Sequence, residues 1–176
     1  MPDKDLVQPG PPEVVLDTNV VLDWLLFDDP AARPLAEAIR SGRWHWVGTD
    51  NTLGELAAVL SRTELDRWHP DRRDMASTEG DSAATTAADD LGTLIADKCP
   101  HPALATAQHL CRRVAAPVVG SAQRLTCTDA DDQKFIDLAV ARRVRWLFSR
   151  DKAVLRLARR ATAHGVTVLR PTDWRP

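Results

Sequence analysis

The apolar run Val14, Val15 and Leu16 ends on Asp17, with Thr18 and Asn19 behind it. Three consecutive apolar residues leave no polar face for water, so the run reads as a strand covered on both sides. Such strands belong to parallel sheets with helices on each face, and the rest of the chain alternates accordingly. Strands are expected at 13–17, 43–49, 144–149 and 166–170. Helices are expected at 30–41, stopped by Gly42, at 50–62, with cap candidates Thr49, Asp50 and Thr52, and at 129–143. Another is expected at 151–165, ended by Gly165.

Between the second strand and the 129–143 helix the pattern changes. A short helical piece at 63–68, a polar stretch at 69–83 and helices at 84–98 and 102–114, separated by two prolines in "CPHP", read as a helical insertion of about 62–120. Residues 116–128 read as a connector. Residues 1–12 read as a flexible leader with no signal-type apolar stretch, and 13–176 as a single domain. A chain of 176 residues, 44% hydrophobic and 27% charged, can bury a proper core. No apolar run approaches a membrane span. Three cysteines, Cys99, Cys111 and Cys127, form no disulfide framework and point to a reducing cytoplasm.

The acids fall in a pattern. In a parallel α/β sheet the C-terminal strand ends and the starts of the following helices share one edge, where ligands bind. Asp17 ends the first strand. Glu55 lies early in the helix after the second. Asp132 lies in the first turn of the helix starting near 131, on a face shared with Ile136, Ala139 and Val140. Asp151 follows the third strand after Ser149 and Arg150. Carboxylates converging on one place repel each other, and a divalent cation is one solution. Hard oxygen donors favour Mg²⁺ or Mn²⁺, which can activate water and neutralise a phosphate.

Each acid has a purely structural reading. Asp17 and Asp151 could cap helices, Thr52 and Glu55 match a capping box, and Asp131 or Asp132 could complement a helix dipole. Their joint placement favours the functional reading. Cys99, His101, His109 and Cys111 lack zinc spacing, and no nucleophile motif is present. Charge is uneven: residues 63–97 carry nine acids and three bases, residues 141–176 ten bases and two acids. Arg156, Arg159 and Arg160, spaced i, i+3, i+4, form a stripe which, with Arg150, suits phosphate contacts. Trp44, Trp46 and Trp146 read as core; Trp24 and Trp68 read as exposed or as subunit contacts.

The segments "VVLDTNV", "TLGELAAVLSR", "DADDQKFIDLAV" and "LFSRDKAVL", closed by "GVTVLRPTDW", resemble the four acidic motifs of PIN-domain ribonucleases. The likeness covers 13–62 and 125–174 and is nearest to the branch regarded as toxins of toxin–antitoxin systems. The resemblance implies a three-layer α/β/α fold with a central parallel sheet, Mg²⁺ or Mn²⁺, and cleavage of single-stranded RNA. By motif, Asp17, Glu55, Asp132 and Asp151 are its catalytic, metal-binding quartet. Asn19, Ser149, Asp129 and Asp131 are supporting residues. Single-stranded RNA, an antitoxin protein and a second copy of the chain are the partners implied. Arg150 stands where that branch commonly has a small residue, the middle region is longer, and "TDADDQK" replaces a run often holding a proline. Two alternatives stand beside this reading. A phosphatase or receiver-like acid pocket wants an acid pair that Asp17-Thr18-Asn19 lacks. A non-catalytic binding module has no need of the full quartet.

Overall fold

The structure is a computed structural model that describes residues 10–62, 101–120 and 124–175. The leader up to residue 9, the pieces at 63–68 and 84–98, the polar stretch at 69–83, Trp68 and Cys99 lie outside the described residues.

Five strands form one all-parallel sheet: β1 (Glu13–Leu16), β2 (His45–Gly48), β3 (Arg112–Arg113), β4 (Trp146–Phe148) and β5 (Thr167–Leu169). Their order is β3-β2-β1-β4-β5. The chain builds outward from β1 to β3, then returns to the other side of β1 for β4 and β5. The strand order therefore reverses between β1 and β4, where α/β sheets open a crevice at their C-terminal ends. Val14 and Val15 are both buried in β1, one towards each face, as the unbroken apolar run requires.

Helices cover both faces. On one side lie α1 (Thr18–Leu25), α2 (Arg33–Arg40), α3 (Asp50–Leu60) and α4 (Pro102–Leu110), packed over Val14, Leu16, Trp46 and Phe148. On the other lie α5 (Gln133–Arg142) and the short α6 (Lys152–Leu155) and α7 (Ala158–Ala161). These pack over Val15, Val47, Leu147 and Val168. Each large aliphatic or aromatic side chain buried this way contributes about 1.5–3 kcal/mol. The fold is the three-layer α/β/α arrangement with a central parallel sheet. Among the described residues no helix is long and apolar enough to cross a membrane.

Gly42 and Gly165 take the left-handed backbone at φ 72° and 77° that ends a helix, as expected. Other boundaries differ from the sequence reading. A helix, α1, starts directly after Asp17, where a turn or helix cap was expected but no helix was placed. The helix expected to reach 114 stops at Leu110, and Arg112–Arg113 become the edge strand β3. Gly48 permits that close approach: a Cβ there would stand 2.7 Å from Cys111 Sγ. The helix expected at 129–143 begins only after Asp132. The helix expected at 151–165 breaks at 156–157 into α6 and α7, with a 3₁₀ turn at Thr162–His164. Trp24, expected at the surface, is buried against Trp46 at 6.0 Å between ring centroids, with the Arg40 guanidinium over its ring. Its position in α1 turns it inward, and α1 was absent from the sequence reading.

Candidate active site

Asp17 closes β1 and caps α1. Its Oδ1 accepts from the Asn19 N–H at 3.4 Å, and its Oδ2 accepts from the Ser149 hydroxyl at 2.6 Å. Ser149 is fully buried at the end of β4, and its Oγ also accepts from the Asp151 N–H at 2.9 Å. One hydroxyl thus ties the acid after β1 to the acid after β4, across the point where strand order reverses. Asp151 then caps α6, accepting from the Ala153 N–H at 2.5 Å. Both cap readings are correct for Asp17 and Asp151. A cap uses one carboxylate oxygen, so it does not exhaust either side chain. The Asn19 side chain is exposed and lines a cavity of about 390 Å³ with Asp23, Phe27, Arg150 and Asp151.

Glu55 is not a capping residue. The capping box of α3 is Thr49 with Thr52, each side chain taking the other's backbone N–H. The Glu55 carboxylate is left to act elsewhere, and it forms an ion pair with the Lys134 ammonium.

Asp132 precedes α5 and makes no side-chain cap hydrogen bond. Burial, and then the negative charges of Asp17, Asp151, Asp129 and Glu55, push its carboxyl up to about 7. Burial also raises Asp17, against the pull of its Ser149 and Asn19 hydrogen bonds; the charges of Glu55 and Asp151 add to the rise. The structure therefore brings Asp17, Glu55, Asp132 and Asp151 within electrostatic reach of one another. Asp129 acts on Asp132 from the rim, where its own carboxylate takes the Asp131 N–H at 2.9 Å. Asp131 is exposed and is not among the charges that shift Asp132.

These donors are hard oxygens throughout, a set that suits Mg²⁺ or Mn²⁺. Burial is the larger cause of the rise at Asp17 and Asp132; the repulsion from neighbouring acids that adds to it is the part a cation would remove. Among the described residues no group of three or more His, Cys, Asp and Glu side chains is arranged to hold a metal ion as it stands. Glu55 is turned onto Lys134, and Asp17 onto Ser149. The nearby thiol of Cys111 is pushed by burial up to about 12, so it offers no thiolate.

The arginines are placed differently from one another. Arg150 Nη1 donates to both oxygens of Asp23, at 2.7 and 2.8 Å, while its side chain stays 56% exposed. Arg156, Arg159 and Arg160 are all exposed, but the continuous helix that would align them is interrupted between α6 and α7.

Sequence reasoning missed two charged residues here. Asp23, 7% exposed, lies within the apolar run of α1; an acid among Leu22, Trp24 and Leu25 is a signal of a buried, partnered charge. Lys134 carried no comparable signal, because its partner lies on a different helix.

A family profile described as PIN domain matches residues 13–153. No curated protein and no solved structure matches the chain.

Proposed function

Because this chain belongs to the PIN-domain family, whose fold is of the nuclease type, we propose that it is a metal-dependent endoribonuclease. Its substrate is single-stranded RNA, and its role is that of the toxin in a toxin–antitoxin pair, restrained by an antitoxin protein. One observation carries the reading: four carboxylates from four separate segments lie within electrostatic reach of one another near the point between β1 and β4 where the strand order reverses.

Asp17, Asp132 and Asp151 would hold Mg²⁺ or Mn²⁺. When bound, that ion neutralises the phosphodiester and lowers the pKa of water. Ser149 keeps Asp17 and the Asp151 backbone in register with each other. Glu55 orients the attacking water. The second Asp151 oxygen is not used in its cap. The acid cleft repels an RNA backbone, so affinity comes from bases outside it: Arg150, Arg156, Arg159 and Arg160 contact phosphates.

The test is a cleavage assay on a 5′-labelled single-stranded RNA with purified protein. Cleavage with Mn²⁺ or Mg²⁺ and none in EDTA is expected. Cleavage that persists in EDTA removes the metal role. RNA binding without cleavage under any metal makes the protein a binding module instead.

A further inference from the structure

Lys134 is the cation built into the acid cleft. It sits in the first turn of α5, two residues beyond Asp132, and its ammonium meets the Glu55 carboxylate on α3. The same ammonium donates to the Asp131 carbonyl at 2.5 Å and lies 5.2 Å from the centroid of the Phe135 ring. Its side chain is only 19% exposed. A surface lysine waves in water; this one is held by a carboxylate, a carbonyl and an aromatic ring at once, which costs side-chain entropy that a solvated role would not require.

Two other acids feel the Glu55 charge: Asp17 and Asp132. Glu55 thus stands inside the cluster, yet its counter-charge is already supplied by the protein. We infer that Lys134 is a positioning residue that holds Glu55 in the cleft and takes the place of a second cation, so that the site loads one divalent ion rather than two. The inference rests on the nuclease reading of the cleft. Fully ionised, as in a metal-loaded site, the four carboxylates carry four negative charges, and Lys134 offsets one. Three aspartates then remain for a single ion, while Glu55, fixed by Lys134, stays beside it and does not bind it.

The experiment is Mn²⁺ titration of the full-length protein at fixed pH, read by calorimetry and by the loss of the free Mn²⁺ resonance signal. Wild type binds one ion. Lys134→Met keeps an unbranched side chain one atom shorter, frees Glu55, and either takes up a second ion or binds the first about tenfold more tightly. Lys134→Arg keeps the charge and binds one ion as wild type does. The double variant Lys134→Met with Glu55→Gln carries the wild-type net charge and returns to one ion at wild-type affinity. It also serves if Lys134→Met alone does not fold, since the Glu55 charge that lost its partner is removed as well.

Two ions on wild type overturn the inference, as does identical Mn²⁺ binding in wild type and Lys134→Met. Lost Mn²⁺ affinity in the double variant overturns it too, because Glu55 is then a ligand. Unchanged Mn²⁺ binding with weakened RNA binding in Lys134→Met overturns it and assigns Lys134 to a phosphate. Absence of any Mn²⁺ binding to wild type overturns the metal-nuclease reading itself, a result the other outcomes cannot produce.

Discussion

The two ends of the sheet are built on opposite terms. At the N-terminal ends of the strands, aromatic rings gather. Trp44, just before β2, lies 4.5 Å from Trp146 at the start of β4 and 4.6 Å from Trp174, measured between ring centroids. From there the ring cluster runs along the same face to Phe148, the last residue of β4, which stacks on Trp44 at 5.9 Å. At the C-terminal ends, carboxylates gather, and burial and mutual repulsion raise two of them. The aromatic end gains from every contact it makes. The acid end carries an electrostatic cost that the fold offsets only in part, through Ser149, the helix caps and Lys134. The contrast teaches where stability and chemistry reside: the same strands anchor the fold at one end and hold a strained charge cluster at the other.

The sharpest way to break this contrast is Asp17→Asn. Cleavage is expected to fall by at least about a thousandfold, roughly 4 kcal/mol of transition-state stabilisation. The melting temperature in EDTA should stay level or rise, because one buried charge disappears from the acid cluster. A variant that unfolds, or one that keeps full activity, removes Asp17 from the chemistry assigned to it.

Trp44→Ala probes the other end. Loss of a buried tryptophan that packs on three rings should cost about 3–5 kcal/mol, a fall on the order of 10 °C in a thermal melt. Below its new melting point the variant should retain metal-dependent cleavage. If activity at low temperature vanished while the fold persisted, the two ends would not be separable.

Asp132→Asn has the smallest expected effect and the clearest sign. In the folded chain its carboxyl is raised from 3.8 to about 7. Below the lower value both folded and unfolded chains hold the proton, so the residue costs nothing. As pH rises through this window the unfolded chain ionises first, and the folded state loses stability until both forms are ionised. In EDTA, the variant should melt with wild type near pH 4 and a few degrees above it at pH 8. A difference that does not change with pH would show that burial and the neighbouring acids do not raise Asp132.

The strand–helix alternation, and the helix starts or stops at Gly42, Thr49, Asp151 and Gly165, were legible because they rest on local physics. An apolar triplet, a capping threonine and a terminal glycine act within a few residues of themselves. The edge strand β3 was not legible: Arg112–Arg113 is two residues long, both exposed, with no alternation to read. Nor was the break between α6 and α7, since no proline or glycine marks it. Thr52 and Glu55 match the pattern S/T-x-x-E, which left a capping box as one structural reading of Glu55. The backbone starts α3 three residues earlier, at Thr49, and so released Glu55 for Lys134.

The sequence by itself determined a parallel α/β chain with acids at strand ends and helix starts. Those features depend on side-chain periodicity and on the polarity of strand and helix termini. Only the tertiary structure decided which of those ends meet. Ser149 reaches Asp17, Arg150 reaches Asp23 and Lys134 reaches Glu55 because β4 lies beside β1 and α5 beside α3. These partners are far apart in the chain, and no local energy term selects between them. Strand order does, by placing two helix starts and two strand ends around one crevice, where buried charges must find partners or repel.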